Sequence, residues 1–174
     1  MPRLLRLVGD QVRRKPSEIA IFDGHAEVSL TRGFVAIIDL ADVQSVAGFR
    51  WTTQTGGGGH AYAARSEHGR CVLMHRQLLG AGPGMQVDHR DGDGLNNRRS
   101  NIRLCTPSEN MANKVVERRN KLGLKGVHQA RGKYRATIKP QGLTIDLGSY
   151  NTPEEAAAAY RGAAKILWGR FAKE

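Results

Sequence analysis

Residues 86–113, QVDHRDGDGLNNRRSNIRLCTPSENMAN, gather in one short stretch the groups that phosphodiester hydrolysis requires. That reaction needs an activated water, neutralisation of charge on the phosphoryl oxygens, and stabilisation of the leaving 3′ oxygen. His89 suits the first task, because an unperturbed imidazole pKa of about 6.5 leaves much of the ring neutral near pH 7. Asp88 supplies a carboxylate and Asn110 a neutral amide oxygen. Such a set suits Mg²⁺ (or Mn²⁺), since Mg²⁺ typically takes one or two protein oxygens and completes its shell with phosphate and water. Asn101 is placed to accept from the imidazole N–H or to brace the loop, which fixes the ring nitrogen that takes the proton. The competing reading makes Asp91, Asp93, Asn96 and Asn97 a plain polar turn or a calcium loop. DHRDGDG resembles such a loop, but it lacks a glutamate at the twelfth position.

These side chains need particular elements to hold them. Consecutive strand residues point to opposite faces, so Asp88 and His89 can act together only if their strand ends or twists there. The turn formers of RDGDGLNN predict that ending, followed by a returning strand. Thr106-Pro107-Ser108-Glu109 reads as a helix N-cap, a proline at the first helical position and a capping glutamate. The helix is predicted to start near Thr106 and run to about Arg119, with Asn110 in its first turn and Asn113 almost one turn further. NKLGLKG then breaks it, with Gly123 and Gly126 as punctuation.

Upstream, EVSL, FVAIID, FRWTT, HAYAARS and CVLMH read as short strands, and Gly56 to Gly59 join two of them as a hairpin tip. HRQLLG is a short helical turn, and residues 1–26 form a basic segment with no assigned structure. Downstream, KGVHQA, KYRATIK and LTIDLGSY read as three strands, with PQG as a turn. Thr152-Pro153-Glu154-Glu155 opens a final helix whose alanine-rich face (Ala156, Tyr160, Ala163, Ala164, Leu167) is predicted to pack closely on a sheet. The fold class is α+β: a nuclease region over 27–119 and a sheet-plus-helix unit over 120–174.

Composition restricts the setting. A hydrophobic content of 40% with mean hydropathy −0.46 is ordinary for a soluble chain. No apolar run approaches the roughly 20 residues of a membrane helix. Cys71 and Cys105 lack metal-binding spacing, and the N-terminal MPRLLRLV is too broken by arginine for a signal-peptide core. A cytoplasmic protein without disulfides is expected.

The net charge of +11 is unevenly spread: residues 1–110 contribute +3 and residues 111–174 contribute +8. Between Met111 and Lys139 nine bases (Lys114, Arg118, Arg119, Lys121, Lys125, Arg131, Lys133, Arg135, Lys139) face Glu117 alone. A stripe of that kind attracts a polyanion, most often nucleic acid, although many charge runs are only solvated faces. Its position beside a candidate phosphodiester site favours double-stranded DNA as the partner.

VDHRDGDGLNNRRSNIRLCTPSENMAN resembles the core of the HNH endonucleases, in the subgroup of phage and mobile-intron homing enzymes. The resemblance implies a ββα-metal fold in which His89 is the general base, Asn101 orients it, and Asn110 binds the metal with Asp88. Asparagine stands at position 110 where many members have histidine. His75-Arg76 matches an HR pair common before this motif, and His75 reads as structural. A second resemblance, carried by LKGVHQARGKYRATI, LGSYNTPEEAAAAYRGAA and WGRFA, is to the ethylene-response-factor or Apetala-two DNA-binding domain. It implies a three-stranded sheet lying in the major groove, backed by a helix. The scaffold positions match, whereas His128, Thr137 and Asp146 stand where arginine, glutamate and tryptophan are usual. By position the contacts to DNA are Lys125, His128, Arg131, Lys133, Arg135 and Lys139, joined by Arg118, Arg119 and Lys121 in the linker.

The sequence therefore leads to a site-specific, metal-dependent DNA endonuclease of the homing type. A transcription regulator with a decayed nuclease core and an RNA-binding maturase are the alternatives. His25, His60 and His68 have no partners at metal spacing, and Trp51, Trp168 and both cysteines read as core. Whether the protein acts as monomer or homodimer is open at this level.

Overall fold

A computed structural model describes residues 15–56, 59–113 and 120–172. It is a mixed α+β arrangement of small antiparallel sheets with few helices. Strands β1 (Ile19–Phe22), β2 (His25–Ser29) and β3 (Val35–Ile38) form one meander, and β4 (Thr52–Thr55), β5 (Ala61–Glu67) and β6 (Arg70–Leu73) a second. Alternation puts Ala26, Val28, Ala36 and Ile38 inside, where they meet Trp51, Val46, Met74 and Ile102 in the main core. Trp51 is fully enclosed, and its indole N–H donates to the Val46 carbonyl at 3.0 Å. The short helix α1 (Val43–Val46) follows β3, and α2 (Met74–Leu79) follows β6.

Strand β1 lies where the sequence suggested no structure. Its IAIF is mostly exposed, so the alternation that marks a half-buried strand is faint there. The glycine run does join β4 to β5: Thr55 pairs with Ala61, and the Gly56 amide donates to the His60 carbonyl at 2.8 Å.

Strands β7 (Gln86–His89) and β8 (Ile102–Cys105) form a hairpin in which Asp88 stands opposite Arg103 and His89 opposite Ile102. Helix α3 (Pro107–Asn113) packs on it. The capping glutamate is in place, with the Thr106 amide donating to Glu109 Oε2 at 2.7 Å and the Glu109 amide to Thr106 Oγ1 at 3.3 Å. The predicted extension to about Arg119, which includes the proposed DNA contacts Arg118 and Arg119, lies outside the described residues.

Strands β9 (Val127–Ala130), β10 (Lys133–Ile138) and β11 (Ile145–Tyr150) make a sheet with β10 in the centre, and α4 (Pro153–Trp168) packs across it. Thr152 and Glu155 form the reciprocal cap. Ala156, Ala157, Tyr160 and Ala164 are buried, whereas Leu167 is exposed, so the packed stripe differs from the predicted one. Position 157 follows the Ala156–Tyr160–Ala164 line on the wheel, and 167 falls at its rim. Gly126 permits this close approach: with φ at +69°, a Cβ there would lie 2.1 Å from the Tyr160 ring. The two halves are joined at Ser108, whose hydroxyl accepts from the Trp168 indole at 3.1 Å and from the Gln141 amide at 3.3 Å.

Candidate functional site

Asp88 and His89 leave the end of β7 toward different neighbours, as alternation on a strand requires. The Asp88 carboxylate is buried against α3 and β8. Its Oδ2 accepts from Arg103 Nε and Nη2, both at 2.7 Å, and its Oδ1 accepts from Asn113 Nδ2 at 2.7 Å. Asn113 also donates to the His89 carbonyl at 3.0 Å, which ties α3 to the two residues of greatest interest. Asn110 points two residues further back on the strand: its Nδ2 donates to Gln86 Oε1 at 2.6 Å. The structure therefore brings Asn113, rather than Asn110, onto the Asp88 carboxylate. The two asparagines are three residues apart on one helical face, so spacing alone permitted either.

The His89 ring lies in a buried aromatic pocket. Its centre is 5.0 Å from that of His75, nearly perpendicular, and 6.0 Å from that of Tyr62. His89 Nε2 lies 3.5 Å from Asn97 Oδ1. Burial is the largest influence and holds the His89 pKa below its ordinary value, with the Asn97 contact and the charges of Asp91, Asp88 and Asp93 opposing it. His75 is pushed further, to about 3, chiefly by burial and then by the charges of His89 and Arg76. Both rings are thus neutral near pH 7.

Asn101 does not reach the imidazole and braces the loop instead. Its Nδ2 donates to Asp91 Oδ1 at 2.9 Å and to the Asn96 carbonyl at 2.7 Å, while its Oδ1 accepts from the Asp91 amide at 3.1 Å. Asp91 further accepts from the Asp93 amide and from Asn96 Nδ2, and Asp93 accepts from the Leu95 amide. Although burial would raise it, these hydrogen bonds leave the Asp91 pKa below the usual carboxylate value. The acidic loop is thus satisfied internally, as the polar-turn reading held. It also docks on β3, with the Ile37 amide donating to the Leu95 carbonyl at 2.9 Å and the Asn97 amide to the Ile37 carbonyl at 2.7 Å. Gly94 lets the loop lie against β5 as well, because a Cβ there would lie 2.5 Å from the Tyr62 ring.

Three residues of the site were not singled out from sequence. Asn97 was visible as half of an Asn-Asn doublet, and Asn113 by helical spacing. Arg103 emerges only from the hairpin register. Among the described residues no three His, Cys, Asp or Glu side chains cluster as a metal site. The buried thiol of Cys105 is raised to about 11, first by burial and then by the Asp88 charge.

Of the predicted DNA contacts, Lys121, His128, Arg131, Lys133, Arg135 and Lys139 are exposed. Lys125 is half-buried and donates to the Ala112 carbonyl at the end of α3. Arg135 pairs with His128 on β9 and forms a two-point ion pair with Asp146 of β11, at 2.6 and 3.2 Å.

Residues 72–112 match the family model described as HNH endonuclease. The chain is 38% identical over 86 residues to a protein named as an uncharacterized HNH endonuclease of Acanthamoeba polyphaga mimivirus, a stretch covering 49% of this chain and 44% of that protein. It is 35% identical over 92 residues to Protein 3.8 of Escherichia phage T7, covering 52% of this chain and 75% of that protein. The chain thus spans less than half the length of the mimivirus relative. No solved structure matches it. With most of the phage protein covered and residues 72–112 holding Asp88, His89, Asn97 and Arg103, the chain belongs to the HNH endonuclease family.

Proposed function

We propose that this protein is a metal-dependent DNA endonuclease of the homing type, with His89 as general base and a divalent ion, Mg²⁺ or Mn²⁺, held beside Asp88. The observation that carries this is the meeting of a buried carboxylate and an amide at 2.7 Å, Asp88 with Asn113, on the residue next to a buried neutral histidine. The donor set fits a hard cation. Turning the Asn113 amide about its last torsion brings its oxygen to face Asp88 Oδ1, and Asn110 presents a second amide from the same helical face. Asp88 and Asn113 are therefore the residues that would hold the ion, and Asn110 would join them on releasing its contact with Gln86. When bound, the ion supplies charge neutralisation at the phosphoryl oxygens and at the leaving 3′ oxygen.

His89 does the proton work. With Nε2–H directed to Asn97 Oδ1, its Nδ1 is left as the acceptor for the proton of the attacking water. Asn97 fixes that tautomer, and Asn101 holds the loop on which Asn97 sits. The pocket of Tyr62 and His75 keeps the ring neutral.

The outer face of the β9–β10–β11 sheet is the proposed DNA reader, in the manner of the Apetala-two domains. Lys133, Arg135 and Thr137 alternate outward on β10 and His128 stands beside Arg135 on β9, while Ala136 and Ile138 turn inward. With Lys121, Arg131 and Lys139 they give this unit its cationic character, and Lys125 extends it toward α3; Arg118 and Arg119, outside the described residues, are assigned to the same DNA contact from the sequence.

Nicking of supercoiled plasmid in Mg²⁺ tests the reading. The wild type nicks and His89→Ala loses at least about a hundredfold in rate; equal nicking by both removes His89 as the base. The regulator reading draws on one observation, the saturation of the Asp88 carboxylate by Arg103 and Asn113. The same assay decides it, since a decayed core leaves the plasmid intact.

A further inference from the structure

Arg103 is, with Arg65, one of the two buried arginines among the described residues, and it is the one that faces Asp88. It is buried, it directs Nε and Nη2 to one oxygen of Asp88, and its Nη1 donates to the Arg170 carbonyl at 2.5 Å. Its guanidinium carbon lies over the Phe171 ring, 4.0 Å from the centre. Arg170 and Phe171 belong to the single 3-10 turn that follows α4, so the last part of the C-terminal unit holds the group that holds Asp88. A buried carboxylate needs a counter-charge, and here a guanidinium supplies it. A divalent ion beside Asp88 would meet that positive charge at close range in a poorly screened site, where like charges repel strongly.

We propose that Arg103 is a built-in counter-ion that occupies Asp88 before a divalent ion does. It makes cation binding weak until a duplex adds its own phosphate charge, and the Arg170–Phe171 turn sets how firmly it holds. This rests on the reading of Asp88 as a cation ligand. It adds that the DNA-binding unit acts on that ligand through one side chain. The cation–π contact and the carbonyl acceptor both favour the position Arg103 now takes. Loosening either frees Asp88, and so does removing the guanidinium charge. Duplex phosphates near the site would offset the repulsion without any change in Arg103.

The test is Mn²⁺ binding to the full chain without DNA, followed by titration calorimetry, for wild type, Arg103→Gln, Phe171→Leu and Asp88→Asn. Glutamine keeps a donor toward Asp88, and leucine keeps most of the Phe171 volume while removing the π face. Both are expected to bind Mn²⁺ at least about fivefold more tightly than wild type, in the range of ordinary site-to-site coupling. Phe171→Leu covers the case in which Arg103→Gln fails to fold. Unchanged or weaker binding in these variants, with binding lost in Asp88→Asn, overturns the counter-ion role and leaves the cation site standing. Binding that is indifferent to Asp88→Asn overturns both.

Discussion

The ring of His75 stands edge-on to the ring of His89 with centres 5.0 Å apart, and its Nδ1 is the buried side-chain atom left without a hydrogen-bond partner among the described residues. An imidazole kept in such a place is held as a neutral, shape-defining ring. That agrees with its reading as structural and has a measurable cost in acid.

Burial holds the His75 pKa at about 3, whereas an unfolded histidine titrates near about 6.5. Between those values the unfolded chain takes up a proton that the folded one refuses. This contribution to stability is therefore fully present above about pH 6.5 and is lost as the pH falls, by about 1.4 kcal/mol per unit for one such group. His89 adds in the same direction. Urea unfolding at about pH 8 and about pH 5 should show a clearly shallower pH dependence for His75→Phe than for wild type; parallel dependence in both would show that His75 is not the titrating group.

Asn97 and Asn101 should separate in function. Asn97→Ala leaves His89 free to take either tautomer and is expected to cut the nicking rate by about ten- to a hundredfold, beyond the loss of stability that removing a fully buried, hydrogen-bonded amide brings. Asn101→Ala leaves the Asp91 amide and the Asn96 carbonyl without their side-chain partner and is expected to destabilise the fold by about 1–3 kcal/mol. Rate and melting temperature measured on both variants check this. If Asn97→Ala melted early and kept its rate, the roles would be reversed.

On the exposed sheet, Lys133→Ala should weaken duplex binding uniformly across sequences and lower the slope of log affinity against log salt by about one. Arg135, steadied by Asp146, should behave differently, with Arg135→Ala relaxing preference at one position of the site and costing about 1–3 kcal/mol there. Selection from a randomised duplex pool reads the preference, and a salt series reads the slope. Two variants indistinguishable from wild type in both would move the DNA interface off this sheet.

Gly126→Ala should be among the more damaging small substitutions. The position has φ at +69°, and a methyl there falls 2.1 Å from the Tyr160 ring. Strain and overpacking together are expected to exceed about 2 kcal/mol. Chemical denaturation measures it, and a loss under about half a kcal/mol would mean that α4 can shift off the sheet at little cost.

Elements with strong local signals were legible in the sequence. Both capping boxes announced their helices at the right residue, because the cap is made by residues three positions apart and needs nothing from elsewhere. The pairing of β9, β10 and β11 followed from alternation and turns. The sequence also supplied Asp88 and His89 as residues of chemical interest, but not their partners. Which amide of α3 meets Asp88 depends on the rotation of that helix about its axis, and the sequence leaves Asn110 and Asn113 equivalent. Arg103 reaches Asp88 through cross-strand register, and Arg170 and Phe171 reach Arg103 through tertiary packing, which no local pattern encodes. Leu167 was misplaced for a similar reason: the helix turns its alanines to the sheet through a slightly rotated face.

Ile37 exchanges main-chain hydrogen bonds with both Leu95 and Asn97, so the turn after His89 is measured against a strand far upstream. Its length is therefore set by the register of those bonds. One residue added between Asp91 and Leu95 would slide Asn97 out of step with Ile37 and turn its amide from the imidazole. Transplanting residues 72–112 alone into another scaffold would leave that ruler behind.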